Sequence, residues 1–337
     1  MSNWSEVLTE IGEYQKNATQ SLDLVRRKYL KALHEHTKRN VIAYYSGWLQ
    51  KPNQLDTTIN DKDKNALMVT IHKLDRKKGL DLILHTPGGD LAATESIVDY
   101  IKSMFGKDIR AIIPQISMSA GTMIALSCKS IMMGKQSNLG PIDPQMGGVA
   151  CQAVIDEFNK AVKDIKSNPA SAPLWQVIIA KYNPTFLGAC QHAITWSEKM
   201  VHAWLEDNMC SGDAGKAEKI LKEISDHNTN KSHSRHISKE KCEAIGLTIE
   251  SLEKDQQLQD LILTIHHSFM HSFTQSSALK VVENHLGIAY VEHHPMSIKL
   301  QTVPQAQESN GHGPKIEAEE WEAQSSQEKR QKAKLPS

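Results

Sequence analysis

Two short segments carry the residue types of acyl-transfer chemistry. Residues 85–90, HTPGGD, place a Gly-Gly pair at the end of an apolar run, and residues 116–122, ISMSAGT, place a serine at the head of another. A serine nucleophile needs a proton acceptor and a pocket of N–H donors. If Ser119 sits on a strand-to-helix turn, the positive end of that helix favours a developing oxyanion. Ala120 and Gly121 leave room for a carbonyl, and the Ala120 N–H is one oxyanion donor. Gly88 and Gly89 allow close approach of a ligand to the backbone, so Gly89 offers the second donor and an edge for an extended peptide. Taken singly, each segment has a plainer explanation: small residues that permit close packing, or a turn with Asp90 as helix N-cap. Two further segments matter only beside these. Residues 139–148, LGPIDPQMGG, hold Asp143 rigidly between prolines, and residues 231–247 present His233 and His236 ahead of a short helix.

The elements that must position these groups read as follows. Residues 40–47 are an apolar, aromatic strand, and residues 61–78 have helical spacing through Leu67, Ile71 and Leu74. A buried strand over 80–85 leads into PGG, then come a helix over 91–105, a strand over 109–113, a helix over 119–127 and a short strand over 131–133. This alternation predicts βαβ units and a mostly parallel sheet. Residues 149–225 read as helix with a break near Pro173 and Pro184. A polar loop over 227–235, a helix over 239–244 stopped by Gly246, and an amphipathic helix over 258–286 follow. Residues 4–38 are helical, with Leu22, Val25, Tyr29, Leu30 and Leu33 on one face; they read as a helix packed on its own domain or as a dimerising arm.

Lysine plus arginine and aspartate plus glutamate both number 39. With no net charge, no global basic field points to nucleic acid or an anionic membrane. Five scattered cysteines without a C-x-x-C pair suggest reduced thiols in a cytoplasmic setting. No secretory leader and no spanning segment is evident. The tail over 301–337 is too polar to bury a core and is expected to be disordered.

The order PGG, S-x-S-A-G-T, G-P-I-D-P-Q, then I-S-x-x-x-C-x-x-I-G-L resembles the ClpP/crotonase superfamily. Within it the chain is most similar to the serine dehydrogenase proteinase family, related to signal peptide peptidase A and ClpP. The similarity runs over 40–247 and is most specific over 82–145. It implies an α/β spiral of ββα units over 39–250 (largely helical over 149–225), a helical N-terminal arm over 1–38 and helical C-terminal additions over 251–300. It also implies peptide-bond hydrolysis and self-assembly into homo-oligomers. By the resemblance Ser119 is the nucleophile, Gly89 and Ala120 are the oxyanion donors, and Gly88 is the strand edge that pairs with a peptide or protein substrate. The ClpP-type histidine falls on Asp143 and the ClpP-type aspartate near Ser234, beside His233. Acid and base are thus exchanged between loops, with His233 as base and Asp143 fixing its tautomer.

Three alternatives remain. Membrane-associated relatives use a serine–lysine dyad, for which Lys160 and Lys163 are the nearest lysines, with Lys166 and Lys135 further candidates. A chain in which no base reaches Ser119 is a non-catalytic scaffold. Crotonase-like acyl-CoA chemistry does not require the serine. His266, His267 and His271 make no complete metal motif, and no cofactor, metal or nucleotide is called for. The apolar face at Trp196, Val201 and Trp204 reads as helix packing.

Overall fold

Strands that are mostly apolar make the centre of the molecule. Residues Asn40–Ser46 (β1, NVIAYYS) and Leu80–His85 (β2, LDLILH) are buried at every position, as strands covered on both faces must be. The computed structural model describes residues 4–14, 18–52, 54–225 and 232–293. Residues 227–231 of the expected polar loop over 227–235, and the expected tail over 301–337, lie outside the described residues.

In chain order the helices are α1 (Trp4–Glu13), α2 (Ala18–Thr37), α3 (Lys62–Ile71), α4 (Leu91–Phe105), α5 (Ala120–Leu126), α6 (Cys151–Ser167), α7 (Ala172–Ile179), α8 (Phe186–Trp204), α9 (Ala214–Ser225), α10 (Lys239–Ile245) and α11 (Gln256–Gln275). The remaining strands are β3 (Ile109–Ile113), β4 (Ile116–Ser117), β5 (Ser130–Met133), β6 (Asn138–Leu139), β7 (Gln145–Met146), β8 (Val149–Ala150), β9 (Ile237–Ser238), β10 (Ile249–Ser251), β11 (Ala278–Asn284) and β12 (Ala289–His293). Seven strands form one sheet in the order β10-β5-β3-β2-β1-β11-β12. It is parallel from β10 to β1 and antiparallel from β1 through β12. A second, small sheet has the order β4-β6-β9. This mixed α/β architecture is compatible with a ClpP-like fold.

Strand alternation divides the interior. Ile42, Tyr44, Leu82, Leu84, Ala111 and Ile113 face a core shared with α3, α4 and α5. Val41, Ala43, Tyr45, Ile83 and Ile112 face the other side, where Leu30 and Leu33 of α2 and Ile262, Ile265, Phe269 and Phe273 of α11 cover them. The N-terminal helix α2 is therefore built into its own domain. Its Arg26 reaches Glu283 of β11 at 2.8 Å, with both side chains buried.

The helix read over 258–286 is corrected: α11 ends at Gln275 and β11 begins at Ala278. Leu279, Val282 and Leu286 mimic helical spacing. Yet all seven residues of β11 are buried, and its charged members hide in ion pairs, Glu283 with Arg26 and Lys280 with Asp63. The C-terminal addition is thus a helix followed by a β-hairpin.

The second face also buries His85 and His266 beside Tyr45, Trp48 and Phe269. Burial, then the neighbouring His266, pushes His85 well below the usual imidazole range. Burial pulls His266 down to about 3. An unfolded chain protonates these rings near pH 6.5. Between about pH 6.5 and 3 it therefore binds protons that the native state refuses, and stability falls as the pH drops through that window. The expected result is that His266→Phe shifts acid unfolding, followed by circular dichroism, to lower pH; an unmoved midpoint would contradict this.

Candidate active site

The site starts where β2 ends. Thr86 forms a parallel bridge to Ser117 of β4, and the chain then turns through Pro87, Gly88 and Gly89 into α4. Asp90 caps α4, its side chain accepting from the Ala93 N–H at 2.8 Å. Gly88 adopts φ +96°, and a Cβ there would lie 2.7 Å from Ser119 Cβ and 3.0 Å from Ala120 N. Only a glycine allows the turn to lie this close to the serine.

Ser119 itself stands at φ +50°, ψ −117° as the residue preceding α5, a conformation costly for any side-chain-bearing residue. It is part-exposed between buried Met118 and Ala120, and its hydroxyl makes no hydrogen bond to any described residue. The Ala120 N–H opens α5 and has no acceptor among the described residues, as expected at a helix start.

Gly89 sits against a strap, residues 57–60, that precedes α3. Ile59 N–H donates to the Gly88 carbonyl at 2.8 Å and Asp90 N–H donates to the Ile59 carbonyl at 2.9 Å. Because a trans peptide points its C=O and N–H in opposite directions, the Gly89 N–H faces away from Ile59. It too has no acceptor among the described residues. Gly88, expected as the edge that pairs with substrate, has its carbonyl engaged by Ile59 and its N–H by Thr86 Oγ1 at 3.2 Å. That edge is covered by the chain's own strap, and Gly88 instead packs against the serine.

Asp143 arrives on the loop after β6. The Gly140 N–H donates to Thr122 Oγ1 at 3.0 Å and to the Ser117 carbonyl at 3.2 Å, and the Cys151 N–H donates to the Pro144 carbonyl at 2.9 Å. The loop is thereby tied to the first turn of α5, one turn from Ser119. Asp143 is buried, and its Oδ1 lies 2.9 Å from Nδ1 of His233, which is about one-fifth exposed. With Nδ1–H donating to the carboxylate, Nε2 is left as the acceptor. No hydrogen bond joins His233 to Ser119. The structure thus brings Asp143 to His233, Gly88 to Ser119, and leaves the serine hydroxyl unattached.

Lys160 and Lys163 lie exposed on α6, beyond its first two turns, and bond to none of these residues. The thiols fit no nucleophilic role: all five are free and buried. Burial, reinforced by Cys190, raises Cys151 to about 12. His271 Nε2 meets the Trp4 carbonyl at 3.0 Å, and the Trp4 ring packs on His267 and His271, so these histidines serve to seat α1.

Thr86, Thr122 and Ile59 fix the two loops. Thr86 and Thr122 lie inside the two signature segments, whereas Ile59 has no signal in the sequence.

Replacing Gly88 with alanine tests the close packing. Its Cβ would collide with Ser119 Cβ and the Met118 carbonyl, at a backbone angle that itself costs about 1–3 kcal/mol. Labelling of Ser119 by a fluorophosphonate is expected to slow by about a hundredfold, the penalty for misplacing a reacting group by roughly 1 Å. Labelling at the parent rate would show that the turn does not shape the site.

No described helix is long and apolar enough to cross a membrane. An uncharacterized protein of Methanocaldococcus jannaschii is 28% identical over 235 residues, spanning 68% of this chain and 75% of its own. A second from the same archaeon is 28% identical over 193 residues, spanning 57% and 59%. The sequence profile of the family described as ClpP-like SDH-type serine proteinase matches residues 13–271. With most of its length inside that match, and with a serine and an aspartate–histidine pair carried on neighbouring loops, the chain belongs to the ClpP-like SDH-type serine proteinase family.

Proposed function

We propose that this protein is a serine peptidase whose nucleophile is Ser119, whose base is His233 and whose orienting carboxylate is Asp143. The observation that carries the reading is Ser119 held in a strained conformation with a free hydroxyl, beside a turn whose Gly89 N–H is also free. In the first step Ser119 Oγ bonds to the scissile carbonyl carbon while its proton passes to His233 Nε2. The N–H groups of Gly89 and Ala120 receive the oxyanion. The imidazolium, stabilised by Asp143, returns the proton to the leaving amine as the C–N bond breaks. Water repeats the cycle on the acyl-enzyme. An extended peptide docks along the edge of the turn that faces away from Ile59.

His233 must swing or be drawn toward Ser119, since no hydrogen bond joins them; such contacts commonly tighten only when substrate binds. The same gap motivates the second reading, a scaffold that keeps the fold without the chemistry. Incubation with a fluorophosphonate separates them: a stoichiometric adduct mapped to Ser119 supports the peptidase, and complete inertness supports the scaffold.

The ββα spiral is part of this reading. It is supported by β3-β4-α5, in which one strand enters the large sheet, the next enters the small one, and a helix returns. Self-assembly into homo-oligomers is also part of it, supported by Leu174, Val177 and Val162, which expose apolar side chains on α6 and α7. Sedimentation at micromolar concentration tests it, a monomer being the adverse outcome.

A further inference from the structure

Far from the serine in sequence, β11 carries a lysine into the interior. Lys280 is 1% exposed, and its ammonium contacts Asp63 Oδ1 at 2.7 Å, the Thr58 carbonyl at 3.0 Å and Glu292 at 3.3 Å. Asp63, also 1% exposed, uses its other oxygen to accept from Tyr44 at 2.8 Å and from the Asn60 N–H at 2.9 Å. Burying two opposite charges is a poor route to stability, because their desolvation offsets most of their attraction and apolar residues of the same volume often do as well. What such a pair does supply is fixed geometry.

The geometry it fixes is that of the strap. The Thr57 carbonyl is held by Ser46 Oγ at 2.6 Å, the Thr58 carbonyl by Lys280, and the Asn60 N–H by Asp63. Ile59, between these anchors, turns both its backbone groups the other way, onto Gly88 and Asp90. Gly88 and Gly89 have little conformational preference of their own, so the direction of the Gly89 N–H depends on what grips the turn from outside. The contact is tight: a Cβ on Gly89 would lie 2.3 Å from Ile59 N and O.

We propose that Lys280 and Asp63 are positioning residues for the active site: through the strap they aim the Gly89 N–H at the developing oxyanion. The proposal rests on the peptidase reading for its consequence but not for its mechanics, and the experiment keeps the two apart. Hydrogen exchange of the Ile59 and Asp90 amides, which report the strap-to-turn bonds directly, is measured in the full chain for the parent, Lys280→Met and Asp63→Asn. Both amides are expected to exchange at least about tenfold faster in the variants, while Ile83 and Ile112 in the sheet keep their protection. Fluorophosphonate labelling of Ser119 is expected to slow by about ten- to a hundredfold.

A folded variant that protects Ile59 and Asp90 like the parent overturns the proposal, as does one that labels at the parent rate. If Lys280→Met does not fold, Asp63→Asn decides by the same criteria. If the parent itself does not label, the peptidase reading fails and the exchange rates alone judge whether the pair holds the turn.

Discussion

Ser119→Gly should make the protein more stable and chemically inert at once. The serine stands at φ +50°, ψ −117°, and releasing a side chain from such a conformation returns about 1–3 kcal/mol. Glycine gives back roughly 0.5–1 kcal/mol through its freer unfolded chain. The hydroxyl forms no hydrogen bond to any described residue, so its removal loses none. The net gain of up to about 2.5 kcal/mol corresponds to a melting temperature higher by up to roughly 10 °C. Ser119→Ala keeps the strain and should melt with the parent. Both should lose fluorophosphonate labelling and peptide cleavage by about 10⁴-fold or more. A Ser119→Gly protein that melts below the parent would show that the conformation stores no strain, and a Ser119→Ala protein still labelled would place the nucleophile on another serine.

The second large effect is expected at the aspartate–histidine pair. His233→Ala removes the proton acceptor and should slow labelling by about 10⁴-fold or more, by analogy with other serine triads. Asp143→Asn preserves the shape of the buried side chain but presents an amide to Nδ1. The imidazole is then held in the tautomer that places hydrogen on Nε2, where the serine proton must go, and a loss of about 10⁴-fold is expected. The double variant should be no worse than the poorer single one, because the pair acts as a unit. If His233→Ala labels normally while Lys160→Met or Lys163→Met does not, the base is a lysine of α6 and the pair is structural.

Much of the frame was legible in the residues. The largely apolar runs at β2 and β3 announced strands of the central sheet, and the glycines and serine behind them announced turns. Such signals are local. What stayed hidden depends on partners distant in sequence. The strap at Ile59 is polar on either side and reads as loop, because the groups that hold it belong to β11. Lys280 and Glu283 fell inside the stretch read as an amphipathic helix, and nothing nearby in sequence reveals that Asp63 and Arg26 meet them inside. Of the two histidines ahead of α10, the resemblance singled out His233, and the structure puts its Nδ1 2.9 Å from Asp143 Oδ1. Gly88 looked like an open edge, since its occupation by Ile59 is a tertiary event. The backbone angle of Ser119 has no signature in its neighbours.

The antiparallel seam between β1 and β11 has a consequence for biosynthesis. On the ribosome, the serine, the glycine turn and the aspartate–histidine loops all emerge before the strand that completes the sheet beside β1. Until that strand docks, the nascent polypeptide lacks Lys280, and the strap that grips the glycine turn beside Ser119 is unfinished. On the proposed reading, connectivity alone postpones any hydrolytic competence until translation has passed the hairpin of β11 and β12.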